Sequence, residues 1–314
     1  MPNIFVFGGG AWGLALASCF SIKNQVFVLS RRQLGLNKPN LSQLAYDDFL
    51  GLYRESKNPL CVIAIASAFL REFISSSRQL QAIKHEVKIL CASKGIEQGS
   101  GAFVSDILEG QFRRENLCYL AGPTFAKEVM SSLPCALVIH SYNDDLSPQY
   151  AACFPDFIKT YTQDDVMGAQ VAGAYKNVIA IAGGICDGLG LGNNAKASLL
   201  SRGLVEMARF GAFFNARQET FLGLSGSGDL FLTSNSTLSR NYRVGLALAK
   251  GKKLDSILKE LGEVAEGVYS AKSISEISRR NGIHAPIVQE VQAILEGGEV
   301  RVGLNNLLRK ASHS

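Results

Sequence analysis

Gly8-Gly9-Gly10-Ala11-Trp12-Gly13 stands directly after the apolar run Asn3 to Phe7 and directly before the helical pattern Leu14 to Phe20. The spacing is G-x-G-x-x-G, placed between a strand and a helix at the start of the chain, and that context makes it more than a chance match. Gly8 permits a tight turn, Gly10 lets a pyrophosphate approach the backbone, and Gly13 allows the helix to pack closely on the strand. The helix start adds unsatisfied N–H groups and the positive end of a dipole, so the loop is suited to an anionic dinucleotide. The alternative is an ordinary glycine-rich turn from strand to helix.

Outward from that loop, short apolar, β-branched runs alternate with helical patterns. The runs are Asn3 to Phe7, Gln25 to Leu29, Cys61 to Ala66, Val87 to Ala92, Leu117 to Ala121 and Cys135 to His140, with a further short strand expected near Phe157 to Tyr161. This alternation predicts a parallel sheet flanked by helices, the α/β class. From about Gln163 the β-branched runs give way to long patterns rich in alanine, leucine and glycine. Two domains are therefore expected, residues 1–165 and 166–314. Met167 to Ala182 is apolar nearly all round, which predicts a buried central helix, and Gly183-Gly184 is read as its end. The residues after Leu308 read as a loose tail.

Composition narrows the function. The chain has 314 residues, 47% of them hydrophobic, enough for two cores of ordinary size. Its net charge of +5 comes from 32 basic residues that never form a run, which argues against a nucleic-acid-binding arm and admits small anionic ligands. The seven cysteines are widely spaced, with no C-x-x-C pair and no histidine at ligand spacing. They read as small buried hydrophobes of a reducing compartment, with no metal implied. No apolar stretch reaches membrane-spanning length without charges, and no export signal is visible, so a cytoplasmic protein is expected.

Several residues carry chemistry. After the second strand stands Ser30-Arg31-Arg32, where an acidic residue would meet the ribose hydroxyls of NAD. Two arginines favour a 2′-phosphate, so NADPH is the preferred cofactor and NADH the alternative; the bland reading is a pair of solvated surface charges. Lys176 falls in the middle of the buried helix, where an ammonium needs a reason. Desolvation and a nearby cation would lower its pKa toward that of a general base, whereas pairing with Asp229 would raise it. A snorkelling or structurally paired lysine is the alternative. Lys94 follows the fourth predicted strand, and Gly122-Pro123-Thr124-Phe125-Ala126 follows the fifth, both at strand ends of the kind that bind ligands in open sheets. The glycine-dense loop Gly223 to Asp229 precedes Ser239-Arg240-Asn241, read as a helix start with Ser239 as its cap. There a guanidinium, an amide and free N–H groups converge on a phosphate-sized anion.

Taken together, these segments resemble the bacterial form of the NAD(P)-dependent glycerol-3-phosphate dehydrogenase family, over nearly the whole chain. The most specific stretch is Ala172 to Asn241, with Lys176-Asn177, Asp187-Gly188, Asn194-Ala195-Lys196-Ala197, Arg202 to Glu206, Gly228-Asp229-Leu230 and Ser239-Arg240-Asn241 in family order. The resemblance implies an N-terminal Rossmann-type doubly wound parallel sheet followed by an all-helical C-terminal domain. It implies that Lys176 is the proton acceptor, acting with Lys94 and Asp229. Substrate binding would fall to Lys94, Gly122, Thr124, Lys176, Asp229, Ser239, Arg240 and Asn241. Cofactor binding would fall to Gly8, Gly10, Ala11, Trp12, Gly13, Arg31, Arg32, Lys94, Ala126, Arg240, Val264 and Glu266. The implied reaction is the reversible reduction of dihydroxyacetone phosphate to sn-glycerol 3-phosphate, which supplies the backbone for phospholipid synthesis, and a homodimer follows by analogy. The segment between Arg32 and Cys61 is shorter than the family's usual one, and Ala66-Ser67 replaces proline and a small residue. Two other readings stand beside this one: a related two-domain hydroxy-acid dehydrogenase, and a nucleotide-sensing module without catalysis.

Overall fold

The computed structural model describes residues 2–262 and 264–308; the tail expected to be loose lies outside them. Eight strands form one sheet: β1 (Asn3–Phe7), β2 (Gln25–Leu29), β3 (Leu41–Gln43), β4 (Leu60–Ile63), β5 (Ile89–Cys91), β6 (Leu117–Ala121), β7 (Cys135–Ser141) and β8 (Ile158–Gln163). Between them lie α1 (Ala11–Phe20), α2 (Phe49–Glu55), α3 (Ser67–Ser76), α4 (Arg78–Ala82), α5 (Val104–Glu109), α6 (Ala126–Met130) and α7 (Leu146–Ala151). The order across the sheet is β3-β2-β1-β4-β5-β6-β7-β8. The neighbours pair in parallel except β6 and β7, which run antiparallel. Strand order reverses at β1, whose neighbours are β2 and β4. The glycine loop leaves the carboxyl end of that strand, the place where open sheets of this kind bind nucleotides.

β1 explains why a strand can hold the loop so firmly. Its alternation sends Ile4 and Val6 into the aliphatic cluster that also contains Leu16, Val26, Val62 and Leu90. Phe5 and Phe7 go to the opposite face. There Phe49 of α2 meets both rings edge-on, at centroid distances of 5.1 Å and 5.2 Å. The strand is thus buried on both sides. The short β3 has no apolar run of its own, since Leu41-Ser42-Gln43 carries one hydrophobe, and its pairing with Val26–Val28 comes from the sheet edge rather than from local pattern. No disulfide joins any of the seven cysteines, and six are buried. Burial pushes the thiols of Cys19 and Cys118 up to about 12 and that of Cys153 to about 11, consistent with their reading as small hydrophobes.

The remainder is helical: α8 (Val166–Gly188), α9 (Gly192–Phe213), α10 (Gln218–Leu222), α11 (Asp229–Ser234), α12 (Arg240–Ala249), α13 (Leu254–Leu261), α14 (Glu266–Arg280), α15 (Pro286–Leu295) and α16 (Val300–Leu308). Among the described residues, one compact unit comprises 2–94 and 103–169; the other comprises 95–102 and the described residues from 170 to 308. Within α8, residues from Val171 to Cys186 are nearly all buried, as its apolar composition predicts.

The expected end of that helix at Gly183-Gly184 is wrong: α8 runs on to Gly188. A Cβ on Gly184 would lie 2.1 Å from the Tyr242 carbonyl oxygen, and one on Gly245 of α12 would lie 2.0 Å from that of Ile181. These glycines are contact points between two helices that touch backbone to backbone, and their helix-weakening cost of about 1 kcal/mol each is the smaller effect. No helix among the described residues is long and apolar enough to cross a membrane.

Candidate active site

In the sheet unit, three glycines of the first loop do three different jobs. Gly8 has φ +120°, and a Cβ there would sit 2.5 Å from the Ala64 carbonyl oxygen. A Cβ on Gly13 would sit 2.0 Å from the Gly8 oxygen, so α1 can lie this close only without one. A Cβ on Gly10 would meet nothing within 4 Å. The backbone there faces open space, and no side chain caps the first turn of α1. That cradle fits a pyrophosphate: N–H groups at a helix start with room for an anion against them. Trp12 packs against the aliphatic core while Ala11 is exposed.

Arg31 and Arg32 are both exposed, beyond the end of β2. Arg32 also donates from Nη2 to the Gly9 carbonyl at 3.0 Å, and its backbone N–H donates to Ser30 Oγ at 3.2 Å. The guanidinium therefore reaches back over the loop. At the end of β5, Lys94 Nζ donates to the Gly122 carbonyl at 3.3 Å. Gly122 has φ +106°, and a Cβ would press on the Ala136 oxygen at 3.2 Å. Lys94 and Gly122 thus come together, with half-buried Thr124 and Ala126 following in the chain.

The helical unit holds a second cluster. Lys176 Nζ of α8 lies 2.5 Å from Asp229 Oδ1 and donates to Thr233 Oγ1 at 3.1 Å. Thr233 Oγ1 in turn donates to Asp229 Oδ1 at 3.2 Å. Asp229 opens α11, immediately after the wide π-helical turn Leu224–Gly228. Such turns are uncommon and concentrate at functional sites. This one is possible because Gly226 lies where a Cβ would strike the Phe221 backbone at 2.2 Å.

One residue on, Asn177 Oδ1 accepts from Asn241 Nδ2 at 3.0 Å, and Asn241 Oδ1 accepts the Gly267 N–H at 2.9 Å. A Cβ on Gly267 would lie 2.6 Å from the backbone oxygen of Asn177, which explains the glycine beside Glu266. Ser239 caps α12 by accepting the Tyr242 N–H at 3.2 Å, as the serine at this position predicts. Arg240 is exposed at the first position of that helix. Half-buried Val264 and Glu266 flank the start of α14; Glu263, which precedes them, lies outside the described residues.

The helical unit therefore brings Lys176, Asp229 and Asn241 together with two side chains that the sequence left unassigned, Thr233 and Asn177. Asp229 and Thr233 are four residues apart on one helix, the spacing that puts two side chains on one face. That spacing was the available signal for Thr233, provided α11 was recognised as a helix.

The C-terminal sequence model of NAD-dependent glycerol-3-phosphate dehydrogenase matches residues 165–301, and its N-terminal counterpart matches residues 44–147. Among curated relatives, the glycerol-3-phosphate dehydrogenase [NAD(P)+] of Helicobacter hepaticus is 56% identical over 313 residues, covering 96% of this chain and 97% of that protein. The chain belongs to the NAD-dependent glycerol-3-phosphate dehydrogenase family. A second relative, the enzyme of the same name from Wolinella succinogenes, is 55% identical with 98% of both chains covered. The solved glycerol-3-phosphate dehydrogenase from Coxiella burnetii superposes with a TM-score of 0.88 at 28% identity, over 98% of this chain and 99% of that one. The matched N-terminal span starts at residue 44.

Proposed function

We propose that this chain reduces dihydroxyacetone phosphate to sn-glycerol 3-phosphate with NADPH, reversibly, and that NADH can replace NADPH at lower affinity. The buried contact between Lys176 and Asp229 carries the proposal, because it holds the amine of an otherwise apolar helix in a fixed place, 2.5 Å from a carboxylate oxygen. When bound, the nicotinamide supplies the hydride that adds to carbon 2 of the ketone. Lys176 gives its proton to the oxygen of that carbon, and in the reverse direction the neutral amine takes it back. Asp229 holds the ammonium in place and balances its charge, and the Thr233 hydroxyl fixes a second of the three N–H directions. Lys94 is the proposed second cation for the substrate.

The phosphate is assigned to the start of α12. Arg240 offers a fork of donors, the positive end of the α12 dipole adds potential, and Asn241 has one N–H left after its bond to Asn177. Binding the phosphate there uses affinity for a remote group to fix the carbonyl against its proton donor. The cofactor is assigned to the Gly8 to Gly13 loop with Arg31 and Arg32, whose exposed guanidinium groups suit a 2′-phosphate. We also expect a cytoplasmic homodimer, by analogy.

The test is oxidation of NADPH and of NADH, side by side, followed by absorbance with dihydroxyacetone phosphate and with an unphosphorylated keto acid. Turnover that requires the phosphorylated ketone and favours NADPH supports the reading. Turnover only with the keto acid, or none with either, removes it.

A further inference from the structure

The sequence pattern contains Asp187-Gly188 and a lysine at 196 that the proposed reaction does not use. In the helical unit their side chains meet. Asp187 Oδ2, near the end of α8, accepts hydrogen bonds from both Tyr242 OH of α12 and Lys196 Nζ of α9. Lys196 Nζ also lies 5.1 Å from the centre of the Tyr242 ring. The three side chains close on one another, and the lysine side chain is only 12% exposed.

Tyr242 follows Arg240 and Asn241 directly. Its N–H is held by the Ser239 cap and its carbonyl lies against Gly184. Its hydroxyl is held by Asp187. Burial first, and then the Asp187 carboxylate, push that hydroxyl up to about 12, so it remains a donor at working pH. Along α8 the attachments to α12 therefore include Asn177 to Asn241, Gly184 to Tyr242, and Asp187 to Tyr242. Positions 177, 184 and 187 recur at helical spacing on a single flank of α8. Two backbones touching at glycines leave little play between the axes, but glycine contacts alone allow one helix to slide or rotate on the other. A directed bond at each side of the contact removes that freedom.

We propose that Asp187, Tyr242 and Lys196 form a positioning clamp that fixes the register of α12 against α8, and so the separation between the phosphate-binding helix start and the Lys176 proton donor. This rests on the function proposed above. None of the three touches the reacting atoms; they act through Arg240, Asn241 and the first-turn N–H groups. Misplacement of a binding group by an ångström can remove most of its benefit in the reaction.

The experiment compares Asp187→Asn and Tyr242→Phe with the unaltered enzyme, using dihydroxyacetone phosphate and unphosphorylated dihydroxyacetone. Tyr242→Phe keeps the ring over Lys196 and is the milder change, so it reports even if Asp187→Asn folds poorly. The KM for dihydroxyacetone phosphate should rise about tenfold in Asp187→Asn and less in Tyr242→Phe, the range for losing a hydrogen bond to a charged group. The KM for NADPH should stay at its original value, and activity on unphosphorylated dihydroxyacetone should hold, so that the preference for the phosphorylated ketone shrinks. A KM for dihydroxyacetone phosphate equal to that of the unaltered enzyme in both variants would overturn the clamp. So would equal losses on both ketones, which would mean general loosening. Should the unaltered enzyme itself fail to turn over dihydroxyacetone phosphate, the functional reading falls and the clamp with it.

Discussion

Lys176 Nζ lies 2.5 Å from Asp229 Oδ1, with the lysine 8% and the aspartate 1% exposed. Each charge makes the other's burial tolerable, and removing one strands its partner in an apolar surround. Lys176→Ala is therefore expected to act twice. Turnover should fall by about a hundredfold to ten-thousandfold, the usual share of a positioned general acid. The fold should lose about 3–5 kcal/mol, because the Asp229 carboxylate is left uncompensated. Adding Asp229→Asn to Lys176→Ala should restore much of the stability and none of the turnover. Urea unfolding of the unaltered protein and the two variants, with NADPH titration to show that the cofactor still binds, checks both halves. Wild-type-like turnover in Lys176→Ala would remove the assigned role.

Gly10 and Gly13 separate cofactor binding from folding. A methyl at position 13 would be forced to 2.0 Å from the Gly8 oxygen, so Gly13→Ala should push α1 off β1 and lower the melting temperature. A methyl at position 10 meets nothing within 4 Å, so Gly10→Ala should melt like the unaltered protein. It should still weaken NADPH binding, about tenfold or more, by filling the space assigned to the pyrophosphate. Calorimetric melting combined with fluorescence titration of NADPH decides. Unchanged affinity in Gly10→Ala would show that the pyrophosphate lies elsewhere.

These two clusters differ in how much of them could be read from the chain. The sheet unit was legible because its information is local: β1, β2 and β6 fall on the residues that the apolar runs mark, and the glycine spacing states its own turn. β3 was missed because its pairing is imposed by a neighbouring edge. The antiparallel pairing of β6 with β7 was missed because direction leaves no trace in a short apolar run. In the helical unit the pattern showed that Lys176 is buried, and the chemistry of a carboxylate left Asp229 to pair with either that lysine or a substrate hydroxyl. It could not show Thr233, Asn177 or the Gly184–Gly245 contact, since each depends on which helix lies against which. Gly183-Gly184 was misread as a stop for that reason, because a glycine that ends a helix and one that admits another helix look alike in a sequence.

Arg31 and Arg32 are expected to contribute unequally to coenzyme choice. Both are exposed, but only Arg32 is seen donating to the Gly9 carbonyl. Arg31→Ala should raise the KM for NADPH about tenfold while leaving that for NADH nearly unchanged, since a charged fork on a 2′-phosphate has no counterpart in NADH. Arg32→Ala should raise both, because it also loosens the glycine loop. Steady-state kinetics with the two coenzymes measure this directly. If both substitutions left the NADPH to NADH ratio intact, the 2′-phosphate assignment would be wrong for both residues.

Glu206 offers a test through pH. It is 3% exposed on α9, and its carboxylate accepts the N–H groups of Ile287 and Val288 at 2.9 Å and 3.0 Å and the hydroxyl of Tyr175 at 3.0 Å. No side chain of α15 caps its own first turn, so a residue from another helix does so. Burial raises the carboxyl above its ordinary 4.5, while the backbone and Tyr175 hydrogen bonds and nearby Arg209 pull it down less strongly. The folded chain therefore holds this proton more tightly than the unfolded chain. The stability Glu206 contributes is fully present below 4.5 and declines as pH rises through the raised folded value. Glu206→Gln cannot titrate, and it exchanges one acceptor for a donor facing an N–H group, a penalty that does not change with pH. The melting temperature of the unaltered protein minus that of Glu206→Gln should therefore be largest below 4.5 and decrease as pH rises from there through the raised folded value. A difference that stays level or grows would mean that the three hydrogen bonds outweigh burial, and that the carboxyl is held below its ordinary range instead of above it.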